Sequence, residues 1–158
     1  MVFNMYLLRL YSFKLDKGRK MRQAYYRVTK NKEAKQPYHW VLVAPNHEII
    51  LVSENYSSKQ MALRGIDSVR VNCPYDENYD RLVAKDGSPY FNLVAQNGEI
   101  IGTSEMYSSD NTRDIGIEAV KKYGRDAEVR DKTGESTSGT TTGEAKPIVS
   151  PQRPWISC

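Results

Sequence analysis

Histidine, cysteine and uninterrupted apolar sequence are all scarce in this chain, and each scarcity removes a class of function. Two cysteines occur among 158 residues, Cys73 and Cys158. They are far apart, and their spacing forms no disulfide framework, metal motif or redox motif. Such usage suits a reducing compartment, so a cytoplasmic location is expected. Only His39 and His47 are histidines, and no cysteine or paired carboxylates stand near them at ligand spacing. No metal and no other cofactor is expected. The second half of the chain has no histidine, so a nucleophilic serine there would lack an imidazole base. A Walker sequence, a dinucleotide fingerprint and an HExxH motif are all missing. Gly98 and Gly102 belong to a hairpin rather than a phosphate loop. No catalytic constellation is present, and the chain is not expected to be an enzyme.

Apolar runs are short. Residues 1–13, MVFNMYLLRLYSF, are interrupted by Arg9, well below the roughly 20 residues that span a bilayer. Lys14, Lys17, Arg19, Lys20 and Arg22 follow this run, whereas a signal peptide places positive charge ahead of it. Two readings remain for the segment. It is an overlong start preceding a functional chain that begins near Met21, or an interfacial or partner-binding arm.

Charge is unevenly placed. The formal net charge is +4, yet residues 1–37 carry a net +8, residues 38–131 a net −5, and residues 132–158 a net +1. The basic character belongs to the leading arm. An acidic body repels phosphate, so nucleic acid is not an expected partner of the body.

What the sequence does contain is a duplication. Displacing it by 51 residues aligns 39–72 with 90–123 without a gap, and 15 of the 34 positions are identical. LVA-x-N-x-EII occurs at 42–50 and 93–101. SE-x-YSS follows at 53–58 and 104–109, then GI-x-x-V at 65–69 and 116–120. Asn97-Gly98 signals a tight hairpin of type I′, with Asn46-His47 as its counterpart. Period-2 alternation then puts Trp40, Leu42, Ala44, Ile49, Leu51 and Ser53 on one face. The matching set in the second copy is Phe91, Leu93, Ala95, Ile100, Gly102 and Ser104. Helices follow, with Ser57/Gln60 and Ser108/Asn111 as expected capping pairs. Gly65 and Gly116 fall inside those helices, at a cost of about 1 kcal/mol relative to Ala, which points to close helix–sheet approach. Strand-like segments precede the hairpins at 24–29 and 81–85, and a further one lies at 128–131. Beyond it the chain is rich in Thr, Ser, Gly and Pro, and 132–158 reads as a disordered tail. The expected organisation is an arm at 1–23, repeats at 24–78 and 79–131 forming one joint domain, and the tail.

The strings VAQNGEIIGTSEMYSS and GIEAVKKYG, with VAPNHEIILVSENYSS and GIDSVRVN, resemble the YegP-like family of uncharacterised bacterial proteins over about residues 24–131. The resemblance implies an α+β fold of two tandem β(3)-α-β units sharing one antiparallel sheet. In that fold the helices pack on the sheet and the C-terminal strands are exchanged. Tandem members resemble a single-chain pseudo-dimer, so a monomer is expected. The resemblance supplies no reaction.

Two sets of residues are candidate sites. Ser53, Glu54 and Tyr56, with Ser104, Glu105 and Tyr107, could form paired polar pockets for a ligand or partner. The same residues also suit a structural role, since serine caps helix N–H groups and glutamate favours the dipole. Val41, Val43, Ile50 and Val52 form an expected apolar patch on the outer hairpin face, covered by the arm or by a partner. Three functions are therefore carried forward. The first is a non-enzymatic binding module that takes a protein or peptide on a sheet face or edge. A small-molecule binder or enzyme using the Ser-Glu-x-Tyr corners is the second. The third is nucleic-acid or membrane contact through the basic arm.

Overall fold

Alternating apolar residues in the first repeat form three strands, β1 (Tyr25–Lys30), β2 (Tyr38–Val43) and β3 (Ile49–Ser53), followed by helix α1 (Lys59–Asn72). A single 3₁₀ turn, Asp76–Asn78, leads into β4 (Tyr79–Val83), β5 (Pro89–Val94), β6 (Ile100–Thr103), α2 (Asp110–Tyr123) and β7 (Glu128–Asp131). The structure is a computed structural model that describes residues 22–135. The arm at 1–21 and residues 136–158 lie outside the described residues.

All seven strands form one sheet in the order β4-β5-β6-β3-β2-β1-β7. The two hairpins meet at its centre, where Val52 faces Thr103 and Ser53 faces Gly102. The α+β tandem architecture is as the sequence implies, with two refinements. One pair, β1 with β7, is parallel. Among the described residues exchange also runs in one direction: β7 leaves α2 and crosses to the β1 edge, while the chain leaving α1 becomes β4 itself.

Each helix is held by a stripe of small and β-branched residues. Ala62, Gly65, Ile66 and Val69 of α1 are buried, as are Gly116, Ile117 and Val120 of α2. Trp40, Tyr26, Phe91, Leu42, Leu51 and Leu93 oppose them with essentially no exposure, each contributing about 1.5–3 kcal/mol on burial. The caps lie one residue later than the motif pattern suggests. Ser58 accepts from the Met61 N–H, and Ser109 forms a reciprocal capping box with Thr112.

The hairpins β2–β3, β4–β5 and β5–β6 use a three-residue loop in place of the type I′ turn expected at 46–47 and 97–98, whereas residues 31–37 join β1 to β2. The residue before the closure of each three-residue loop takes positive φ: His47 at 71°, Gly87 at 87° and Gly98 at 84°. Asn46, Asp86 and Asn97 each accept the backbone N–H two residues on, the bond that makes Asx residues good turn formers. A register shift also follows each repeat hairpin, because Val43 faces Ile49 while Leu42 faces Leu51. Ile50 is the extra residue of this bulge, and Ile101 is its counterpart.

The halves are tied across the pseudo-twofold. The Tyr26 hydroxyl donates to the Gly124 carbonyl at the end of α2, and Tyr79 donates to the Cys73 carbonyl at the end of α1. Burial raises both phenols far above their ordinary range, so they remain protonated donors. The first strand of each half thus closes the helix of the other.

Candidate functional site

The two Ser-Glu-x-Tyr corners begin where β3 and β6 end, and their serines are consumed by the fold. Ser53 Oγ accepts the Trp40 N–H at 2.9 Å and donates to the Glu54 carbonyl at 2.7 Å. Ser104 Oγ repeats this with the Phe91 N–H and the Glu105 carbonyl, at 3.0 and 2.8 Å. With the proton and a lone pair both engaged, and no base beside it, neither serine is set up as a nucleophile.

The tyrosines explain the helix glycines. A Cβ on Gly65 would collide with the Tyr56 ring and hydroxyl and lie 2.9 Å from Trp40 Nε1. One on Gly116 would collide with the Tyr107 hydroxyl and ring carbons. The mid-helix glycine is therefore a notch for the tyrosine of its own repeat. In the second repeat Tyr107 also stacks on Phe91, with centroids 6.2 Å apart. Burial raises the Tyr56 phenol above its ordinary value, opposed by the adjacent Trp40 indole and reinforced by Glu54. Tyr107 is raised by burial, then by Glu105 and Glu48.

Glu54 and Glu105 are exposed and point the way to two open grooves related by the pseudo-twofold. Each groove is built from one repeat's hairpin and the other repeat's corner and helix. The larger, of about 840 Å³, combines Ala44, His47, Glu48 and Ile50 with Glu105, Met106, Tyr107 and Ile115. The smaller, of about 290 Å³, combines Ala95, Glu99 and Ile101 with Glu54, Tyr56, Met61 and Arg64. The candidate residues thus divide between the grooves, a glutamate and a tyrosine in each, and the serines line neither.

Sequence reasoning missed what makes the grooves unequal. Met106 and Ile115 are 56% and 61% exposed, and their counterparts in the smaller groove's half are Asn55 and Arg64. The signal was available as departures between otherwise matching copies. His47 is the only non-glycine residue with positive φ among those described, and it borders the larger groove. Among the described residues no cluster of three or more potential metal ligands occurs. Cys73 is buried, which pushes its thiol up rather than activating it.

The outer-face patch needs correction. Because Ile50 is the bulge residue, it enters the helix-side core with Ile101 instead of joining Val41, Val43 and Val52. Val41 and Val43 remain outside that core cluster and are buried, at 6% and 2% exposure, and Val52 is half-buried. Docking of residues 3–13 on this face falls outside the described residues.

This geometry can be set beside known proteins. A family model described as "Domain of unknown function (DUF1508)" matches the chain twice, at residues 34–80 and 84–131. The chain belongs to this family. It is 49% identical over 110 residues to a UPF0339 protein of Acinetobacter baylyi, covering 70% of this chain and 97% of that relative. Identity to the UPF0339 protein YegP of Escherichia coli is 45% over 103 residues, covering 65% and 94%. A solution NMR structure of E. coli YegP, titled a protein of unknown function, matches with a TM-score of 0.66. That match has 42% identity and covers 72% of this chain and 97% of that one. A UPF0339 protein structure from Shewanella oneidensis also gives 0.66, at 41% identity, covering 75% and 99%. The relatives are bacterial and uncharacterised, so the family fixes the shape and leaves the use open. No described helix is long and apolar enough to cross a membrane.

Proposed function

We propose that the chain is a non-enzymatic interaction module whose larger groove receives a protein or peptide segment bearing an apolar side chain beside a cationic one. One observation carries this reading. Met106 and Ile115 stand exposed over the apolar floor of a groove bordered by Glu48 and Glu105. An exposed apolar surface with a polar rim is how interfaces are commonly arranged, and here the carboxylates of that rim are Glu48 and Glu105. The loss of both serines to backbone bonding argues against hydrolytic or transfer chemistry in the corners. On this reading residues 24–131 act as one monomeric, two-repeat body, with 1–23 and 132–158 as appendages.

Selection of displayed peptides against the folded chain tests the proposal. Enriched sequences should pair an aromatic or aliphatic residue with Lys or Arg. They should lose binding to Ile115→Arg and to Glu105→Lys variants that retain their melting temperature. Failure to enrich any sequence, or binding indifferent to both variants, overturns it.

A second reading has its own support, because Glu105 and Tyr107 share a groove of a volume that small-molecule sites commonly have. A paired Tyr56→Phe and Tyr107→Phe variant that folds but loses a measured small ligand would favour it.

A further inference from the structure

We propose that the smaller groove is a binding site for a free α-amino acid with a cationic side chain. Met61, Arg64 and Ser68 of α1 form one wall, and their spacing of i, i+3 and i+7 sets them along one edge of the helix. The second repeat's hairpin supplies the facing wall through Ala95, Glu99 and Ile101, and Glu54 and Tyr56 close the end. At about 290 Å³ the space lies at the lower limit for small-molecule sites, so the ligand it suits is small.

Charge sets the ligand class. Arg64, Glu54 and Glu99 are all exposed, and none has an ion-pair partner among the described residues. One guanidinium and two carboxylates complement a ligand with one carboxylate and two cationic groups, the charge set of a basic amino acid. The larger groove lacks this combination, because Ile115 and Ala119 stand where the smaller has Arg64 and Ser68. Position assigns the partners. After burial and the opposing Trp40 indole, the Glu54 carboxylate adds to the rise of the Tyr56 phenol, which sets the two at the same end. That end takes the α-carboxylate on Arg64 and the Tyr56 hydroxyl, and the α-ammonium on Glu54. Glu99, on the facing wall, takes the side-chain cation.

A stranded donor supports the carboxylate end. The Trp40 indole N–H is completely buried and has no hydrogen-bond partner among the described residues, a rare condition for a buried donor. Its nitrogen and the Tyr56 hydroxyl converge on Gly65, where a Cβ would lie 2.9 Å from the first and collide with the second. A carboxylate that accepts the Tyr56 O–H fixes that rotor and turns an oxygen lone pair toward the indole, which then gains its acceptor. The same carboxylate matches the planar fork of Arg64. Phe91 stands in the place of Trp40 in the second repeat, so the larger groove has no such donor.

NMR of the full chain during titration with L-lysine and with L-arginine tests this. At least one should give saturable amide shifts at Gly65, Ser68 and Glu99 with a Kd of about 1 mM or tighter, while Gly116 and Ala119 stay still. The Trp40 indole proton should move with them, and should not in a Tyr56→Phe chain. L-Norleucine lacks the side-chain cation and cadaverine lacks the carboxylate, and each should bind at least about tenfold more weakly. Arg64→Ile should remove most of the difference between lysine and cadaverine, and Glu99→Gln most of that between lysine and norleucine. No saturable shift at these amides up to about 20 mM overturns the proposal. So do equal affinities for lysine, norleucine and cadaverine, or binding that neither charge variant changes. Ile115→Arg and Glu105→Lys leave these shifts in place, so the result stands apart from the reading of the larger groove.

Discussion

Tyr107 and Gly116 behave as one packing unit, and so do Tyr56 and Gly65. Replacing Gly116 with alanine gains about 1 kcal/mol of helix propensity but forces a methyl into an aromatic ring. Overpacking of this kind costs about 1–3 kcal/mol. Gly116→Ala should therefore lower the unfolding free energy measured in denaturant, and adding Tyr107→Leu should make the pair non-additive. Ser104→Ala leaves the buried Phe91 N–H without its acceptor and should cost about 1–3 kcal/mol by the same measurement. His47→Gly should act oppositely, raising stability by about 1 kcal/mol through release of its positive φ. The sequence exposed the helix glycines as costly, and so as close approaches. It did not name the tyrosine in each notch, because that depends on the path of the corner nine residues upstream. Glu105 and Tyr107 were legible as site residues from the repeated motif. Met106 and Ile115 were not legible from the repeated motifs, because both stand at positions where the copies differ, opposite Asn55 and Arg64.

Elements were legible wherever one rule governed them. Hairpin positions, both helices and β7 followed from periodicity and turn residues. Period-2 counting failed at Ile50, where a bulge inserts one residue and reverses which face the next side chain takes. The dual place of β4 was hidden because helix, 3₁₀ turn and strand follow with little loop between them. At that junction Asp76 binds Arg81 and Lys121 at 3.0 and 2.8 Å. Hydrogen bonds from Arg81 and then Lys121 lower its pKa from 3.8 to about 2. A depressed carboxylate contributes stability above its unfolded pKa and loses it as pH falls through the folded value. The melting temperature should accordingly drop as pH goes from about 4 toward about 2, and Asp76→Asn should remove part of that drop. At the opposite end β7 is exposed throughout. It relies on its ladder, the Lys59–Asp131 ion pair and Arg130 stacked 3.8 Å over Tyr25. Burial opposes ionisation of Asp131, but its bonds to Lys59 and Thr133 hold its pKa below the ordinary value. Lys59→Met should speed amide exchange in β7 before any other strand.

For the molecule as a whole, neither half is complete. The end of each helix is closed by a tyrosine of the other half, and both grooves need residues from each. A fragment of residues 22–75 and one of 76–135 should each fail to show a cooperative thermal transition alone. Mixed in equal amounts, they should recover one. A compact, cooperatively melting single half would contradict this mutual dependence.

The placement of β7 also sets an order of events on the ribosome. The outer edge of β1 stays bare from the moment the first hairpin emerges until residue 131 has cleared the exit tunnel. Nearly the whole body must be synthesised before its first-made edge is sealed. A nascent chain stalled after α2 would display an unsealed strand with a hydrophobic sheet behind it, the form most prone to join a neighbour on the same messenger.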